Sequence, residues 1–260
     1  PIRAAIAGLS AGGTLKIVSM YLHSDTILIN HNDFKIEGGG SGTGFTRSNG
    51  TFGNSIEVEA PDVLTTTIFR VNISDIEIKA TVEVTSGSML RVTEAAYCFF
   101  NNISIQNGFI GMHLRGLRAC FIDGLHIRSG QLWTTVKANS RYMLIEDSPS
   151  GLSYSENVEL FISDFDFASN GVSSYVEHSM EVKEADGIWF SNGHCFGGSV
   201  SNLFLNAAAS PQLLGLKFSN VWMDGNTTRN LLITNTPTGY AGFYQFDGCS
   251  FTGATSIAID

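Results

Sequence analysis

Glu146 and Glu181 are the side chains best placed for proton-transfer chemistry in this 260-residue chain. Two carboxyl groups flanking one bond divide the work, one donating a proton while the other accepts one or attacks. Arg91, His113, Arg115 and Lys183 recur in neighbouring strand-like phrases. Cations of this kind hold anionic or polar parts of a substrate. No compact motif offers a rival chemistry. The sequence has no Cys-x-x-Cys, His-Glu-x-x-His or Gly-x-Ser-x-Gly, and the glycine run at 38–44 lacks the Lys-Ser/Thr ending of a phosphate loop. No metal and no cofactor are expected. Residues distant in sequence must instead be gathered by the fold.

A repeated phrase shows how. Val71-Asn72-Ile73-Ser74-Asp75-Ile76-Glu77-Ile78 returns as Cys98-Phe99-Phe100-Asn101-Asn102-Ile103-Ser104-Ile105, and again from Cys120 to Ile127. It recurs at 160–167, 188–195, 216–223 and 244–251, anchored on Asp75, Asn102, Gly124, Asp164, Asn192, Asn220 and Gly248. The last three steps are 28 residues each. Apolar residues lie two before and one after each anchor, so both can face inward only if the chain turns there. Asn, Asp and Gly tolerate the left-handed backbone of such a corner.

About ten residues earlier a third short strand appears, as in Leu90-Arg91-Val92, Met112-His113-Leu114 and Met180-Glu181-Val182. A β phrase repeated at this period predicts a solenoid. The fold class is therefore all-β: a right-handed, single-stranded parallel β-helix with three sheets. Residues 2–9 read as a short amphipathic capping helix. Residues 1–45 form the cap and first strands, and 46–260 the coils. The closing Ser256-Ile257-Ala258-Ile259-Asp260 reads as another strand with no cap, so further coils, another domain or a covering partner are expected beyond it.

Stacked coils turn the sequence into files of outward residues. One reads Arg91, His113, Leu144, Glu181, Phe204, Leu232; the next reads Thr93, Arg115, Glu146, Lys183, Asn206, Thr234. Glu146 and Glu181 then sit on adjacent coils, with Cα atoms roughly 8 Å apart. An ordinary solvated face, with the glutamates merely paired to Arg115 and Lys183, is the alternative. Irregular stretches at 129–142 and 147–158 border this strand, and loops beside rigid sheet carry binding residues. They and the following loop supply Trp133, Tyr142, Tyr154 and Tyr175 as candidate sugar-stacking rings. A second-choice face follows the corner, centred on His126, Asp166, His194 and Trp222. Phe99, Phe121, Phe161 and Trp189 form an outward aromatic stripe that a second copy of the chain would cover.

Composition narrows the partners. A net charge of −9 with no basic stripe argues against nucleic acid. No apolar run approaches a membrane span, so no membrane insertion is expected. Cys98 and Cys120 occupy one inward slot of successive repeats; buried free thiols are expected, with a bridge between them as the alternative.

The N-terminal phrases Ile2-Arg3-Ala4-Ala5-Ile6, Gly12-Gly13-Thr14-Leu15-Lys16-Ile17, Tyr21-Leu22, Ile27-Leu28-Ile29 and Phe34-Lys35-Ile36-Glu37-Gly38-Gly39-Gly40 resemble the pectate-lyase superfamily domain of phage tailspikes and secreted polysaccharide-degrading enzymes. Val18-Ser19-Met20 departs from the Pro/Gly-containing turn usual there. The resemblance implies an endo-acting glycoside hydrolase that cleaves bacterial surface polysaccharide: capsule, O-antigen or exopolysaccharide. It also implies a homotrimer, placed on the virion or secreted. Two other activities fit the same scaffold. One is a polysaccharide lyase using His113 or Lys183 as base and Arg115 against a uronate carboxylate; the other is a non-catalytic glycan-binding adhesin.

Overall fold

The computed structural model describes residues 2–9, 12–51, 53–62, 66–129, 132–133, 135–148, 157–169, 176–206, 213–225, 228–234, 243–253 and 256–259. The chain is a parallel β-helix: one short helix, Ile2–Gly8, precedes strands that pair only in parallel with strands of neighbouring coils. The helix rests on the first-coil strand Ile27–Ile29 and buries Ile6.

The corner prediction can be checked residue by residue. Asp75, Asn102, Gly124, Asp164, Asn192, Asn220 and Gly248 all adopt left-handed backbone, with φ between 49° and 66°. Apolar residues on both sides of each corner therefore point into one core, which runs from Ile6 to Ile233. Pairing resumes beyond each corner, and between the coils of Asn102 and Gly124 it omits only the anchor: Asn101 faces Asp123 and Ile103 faces Leu125. The anchors also bond along the stack: Asn102 donates to Asp75 at 2.7 Å and Asn220 to Asn192 at 3.0 Å. Asn192→Ala loses that acceptor and forces a left-handed alanine, so stability should fall by about 1–2 kcal/mol. Asn192→Gly should recover most of the loss. Thermal unfolding of both variants checks the difference.

The outward files have the expected register. Glu57, Arg91, His113, Leu144, Glu181, Phe204 and Leu232 pair in succession, and so do Glu59, Thr93, Arg115 and Glu146. These residues come from the strands Ile56–Glu59, Ser88–Ala96, Ile110–Arg118, Lys137–Glu146, Val176–Val182, Gly198–Asn206 and Arg229–Thr234. The four cysteines are free.

Candidate functional site

Alternation along the strand before the corner puts Glu146, Arg115 and His113 on its outer face, and coil stacking brings their heads together. Glu146 Oε1 lies 2.9 Å from His113 Nε2 and 3.3 Å from Arg115 Nε, while Lys183 Nζ donates to Oε2 at 3.0 Å. Burial alone would raise the Glu146 pKa. The hydrogen bonds and charges of His113 and Lys183 outweigh it and hold the carboxyl at about 2. Burial keeps His113 below its ordinary range despite Glu146, with Arg115 and Arg91 adding to the shift. A neutral His113 still donates its Nε2–H to the carboxylate.

One coil below sits a group that the sequence reading did not include. Arg91 Nη2 bonds Glu59 at 3.0 Å and also pairs with Glu57. One guanidinium between two carboxylates compensates at most one of them fully. Burial raises the Glu59 pKa, opposed by the charge of Arg115. Glu59 and Glu146 thus share a file, three rungs apart, with their protonation pushed in opposite directions. The signal was present in Ile56-Glu57-Val58-Glu59, an alternating strand phrase; extending both files back by one coil reaches the two acids.

Glu181 is on the expected face, yet only 2% exposed. Arg141 Nε donates to its Oε2 at 2.5 Å and Asn206 Nδ2 to its Oε1 at 2.9 Å, so both oxygens are committed. The neighbouring register places it beside Glu146, but burial separates it from solvent and substrate. Trp133 and Tyr142 are buried too, against Phe109 and Phe167 respectively, and offer no ring face to a sugar. Tyr154 and Tyr175 lie outside the described residues. Arg91, Arg115 and Lys183 remain partly exposed around the patch.

The second-choice face is also assembled. His126, Asp166, His194 and Trp222 follow one another in register. His194 lies 3.2 Å from Asp166 and 3.7 Å from Asp224, and Arg128 also pairs with Asp166. The Asp166 hydrogen bond raises the His194 pKa, and Asp166 itself is held well below the carboxylate range. Asp166 is paired with both His194 and Arg128, and Asp224 faces the other nitrogen of His194. This face is an ion-paired cluster in which the carboxyl shift, that of Asp166, is downward. Among the described residues no cluster of His, Cys, Asp and Glu is arranged to hold a metal ion.

No protein-family model matches the sequence, and no curated protein matches it. Solved structures do. ORF18 of Geobacillus virus E2 superposes with a TM-score of 0.60 at 13% identity, covering 95% of this chain and 56% of that one. The tailspike of Acinetobacter phage vB_ApiP_P1 gives 0.57 at 13% identity, covering 91% and 47%. The shared architecture is the parallel β-helix. The Dettilon tailspike gives 0.50 at 12% identity, with 95% and 56% covered. The β-helix thus spans about half the length of these structures. At such identity the likeness concerns architecture, and the chemistry has to be argued from side chains.

Proposed function

We propose that this β-helix is an endo-acting hydrolase of bacterial surface polysaccharide, with Glu59 as general acid and Glu146 as general base. The supporting observation is the opposed direction of the pKa shifts of these two acids on one outward file. Three rungs of about 4.8 Å put their Cα atoms about 14 Å apart. That leaves room for a sugar ring and a water between the carboxyls. Glu59 transfers its proton to the glycosidic oxygen as the C1–O bond breaks. Glu146 takes a proton from the water whose oxygen bonds C1 from the opposite side. The product hemiacetal has inverted configuration, as expected for carboxyls too far apart for direct attack, where the inverting spacing is roughly 6.5–9.5 Å. His113 and Lys183 hold Glu146 ionised, and Arg115 and Lys183 bind polar or anionic groups of the glycan.

The aromatic stripe supports a trimer of such chains. Phe99, Phe121, Phe161 and Trp189 stack at centroid spacings of 5.2, 4.9 and 4.5 Å. Their faces are used on one another, so solvent meets apolar ring edges, which suit a protein neighbour better than a sugar. A virion location follows from this reading and from the tailspike architecture.

Digestion of a glycan panel by the intact oligomer tests the activity. New reducing ends without unsaturated-uronate absorbance support hydrolysis; unsaturated ends indicate elimination, and binding without shortening leaves an adhesin. The pH dependence has a defined sign. Activity should fall as pH rises through the elevated Glu59 pKa, and on the acid side only as pH approaches the value of about 2 held by Glu146. A kcat/KM profile showing an alkaline limb that moves in Glu59→Asp checks the assignment.

A further inference from the structure

Beside the Glu59–Glu146 file the outer surface sinks into a cavity of about 220 Å³. Its walls include Thr67, Phe69, Glu94, Ala96, Tyr97 and Arg118. The strands Ser88–Ala96 and Ile110–Arg118 carry both features: Thr93 in the file is followed by Glu94 in the cavity, and Arg115 by Gly116. One residue step along a strand, about 3.3 Å, separates them.

The wall follows the corner geometry of the solenoid: Glu94 is left-handed at φ 48°, as is Gly116 on the next coil at φ 61°, and Glu94 is 1% exposed, held inside the wall. Gly116 makes the space for it: a Cβ there would stand 3.0 Å from Glu94 Oε1 and 2.7 Å from Ser148 Cβ. Tyr97, left-handed at φ 57° like Arg70 and Ala119 at the same corner of neighbouring coils, also lines the cavity and is 49% exposed. Ala96 gives a flat apolar floor, and Arg118 adds a guanidinium.

We propose that this cavity is a specificity subsite for a single sugar ring of the glycan, bonded through its hydroxyls by Arg118 and flanked by Tyr97. Its volume is below the roughly 300 Å³ at which drug-sized ligand sites begin, so it takes one ring and excludes a disaccharide. An apolar floor, an aromatic edge and a few convergent polar groups are the composition that recognises a pyranose, with one CH-rich face and a rim of hydroxyls. The subsite rests on the depolymerase reading for its role in cleavage, though its binding of a sugar does not.

Ala96→Leu fills the cavity without touching the acid–base file, and Tyr97→Ala, at an exposed side chain, removes the flanking ring without crowding the core. Saturation-transfer NMR with a panel of methyl glycosides reads binding directly. Wild type should show transfer to at least one glycoside, and both variants should lose it while keeping the wild-type thermal midpoint. In depolymerisation assays KM should rise about tenfold with kcat nearly unchanged. Absence of transfer to every glycoside in wild type, or unaltered transfer and KM in both variants, overturns the proposal. Transfer that the variants abolish, in a protein that never shortens a glycan, upholds the subsite and rejects the depolymerase.

Discussion

Glu146→Gln should lower the cleavage rate by about two to four orders of magnitude while glycan affinity changes little. The amide is nearly isosteric and keeps an acceptor for His113 and Lys183, so the patch retains its shape. It cannot take a proton from water, and the base step is lost. The three donors around Glu146 also define what the substitution disturbs: Lys183 and Arg115 lose their counter-charge. Anionic glycans should therefore bind the variant at least as tightly as wild type. Stopped-assay initial rates and equilibrium binding on one glycan separate the two effects. Full activity in the variant would remove Glu146 from the mechanism.

Glu181→Gln should act on stability instead. Its carboxylate and Arg141 are both buried, with side chains 3% and 7% exposed. Arg141 keeps Glu177 as a second partner at 2.9 Å, so the loss is that of one buried charge-assisted hydrogen bond, about 1.5–3 kcal/mol. The thermal midpoint should drop by about 5 °C, while the folded fraction cleaves glycan at the wild-type rate. Arg141→Met with Glu181→Leu removes the buried pair and leaves only the partly exposed Glu177 without its cation, so much of the loss should be restored. A variant with normal stability and no activity would return Glu181 to the catalytic pair.

The contrast between these two glutamates marks how far the sequence could be read. The corner at Asn192 was legible because two apolar positions of opposite strand parity must both enter the core, and its φ of 52° follows from that need. Once corners are set, register is arithmetic, so the alignment of Arg115 with Glu146 and of Asp166 with His194 was legible as well. Parity reports the direction of a side chain and says nothing of what lies over it. Glu181 points outward yet is covered, and Trp133 and Tyr142, expected as exposed rings, are buried. The groups that engage Glu181 are Arg141 and Asn206 on the neighbouring coils, long or amide side chains whose reach parity does not fix. Glu57 and Glu59 were a different omission: their strand phrase is regular, and their role emerges only when Arg91 is seen shared between them.

Charge compensation follows the same logic. The patch holds Glu57, Glu59 and Glu146 against Arg91, Arg115 and Lys183, which a sequence count reads as an ordinary balanced surface. Balance in number hides imbalance in place. Glu146 is held by two cations and a histidine donor, whereas Glu59 shares Arg91 with Glu57 and is raised by burial. The proposed division into proton donor and proton acceptor rests on that local asymmetry, which only the placement of the side chains reveals.

The anomeric configuration of the first product, followed by proton NMR during early digestion of a susceptible glycan, tests the Glu59–Glu146 assignment most directly. A newly formed reducing sugar of inverted configuration is the predicted result. Retention would require a carboxylate close enough to bond C1, and an unsaturated non-reducing end would require elimination; either outcome contradicts the account.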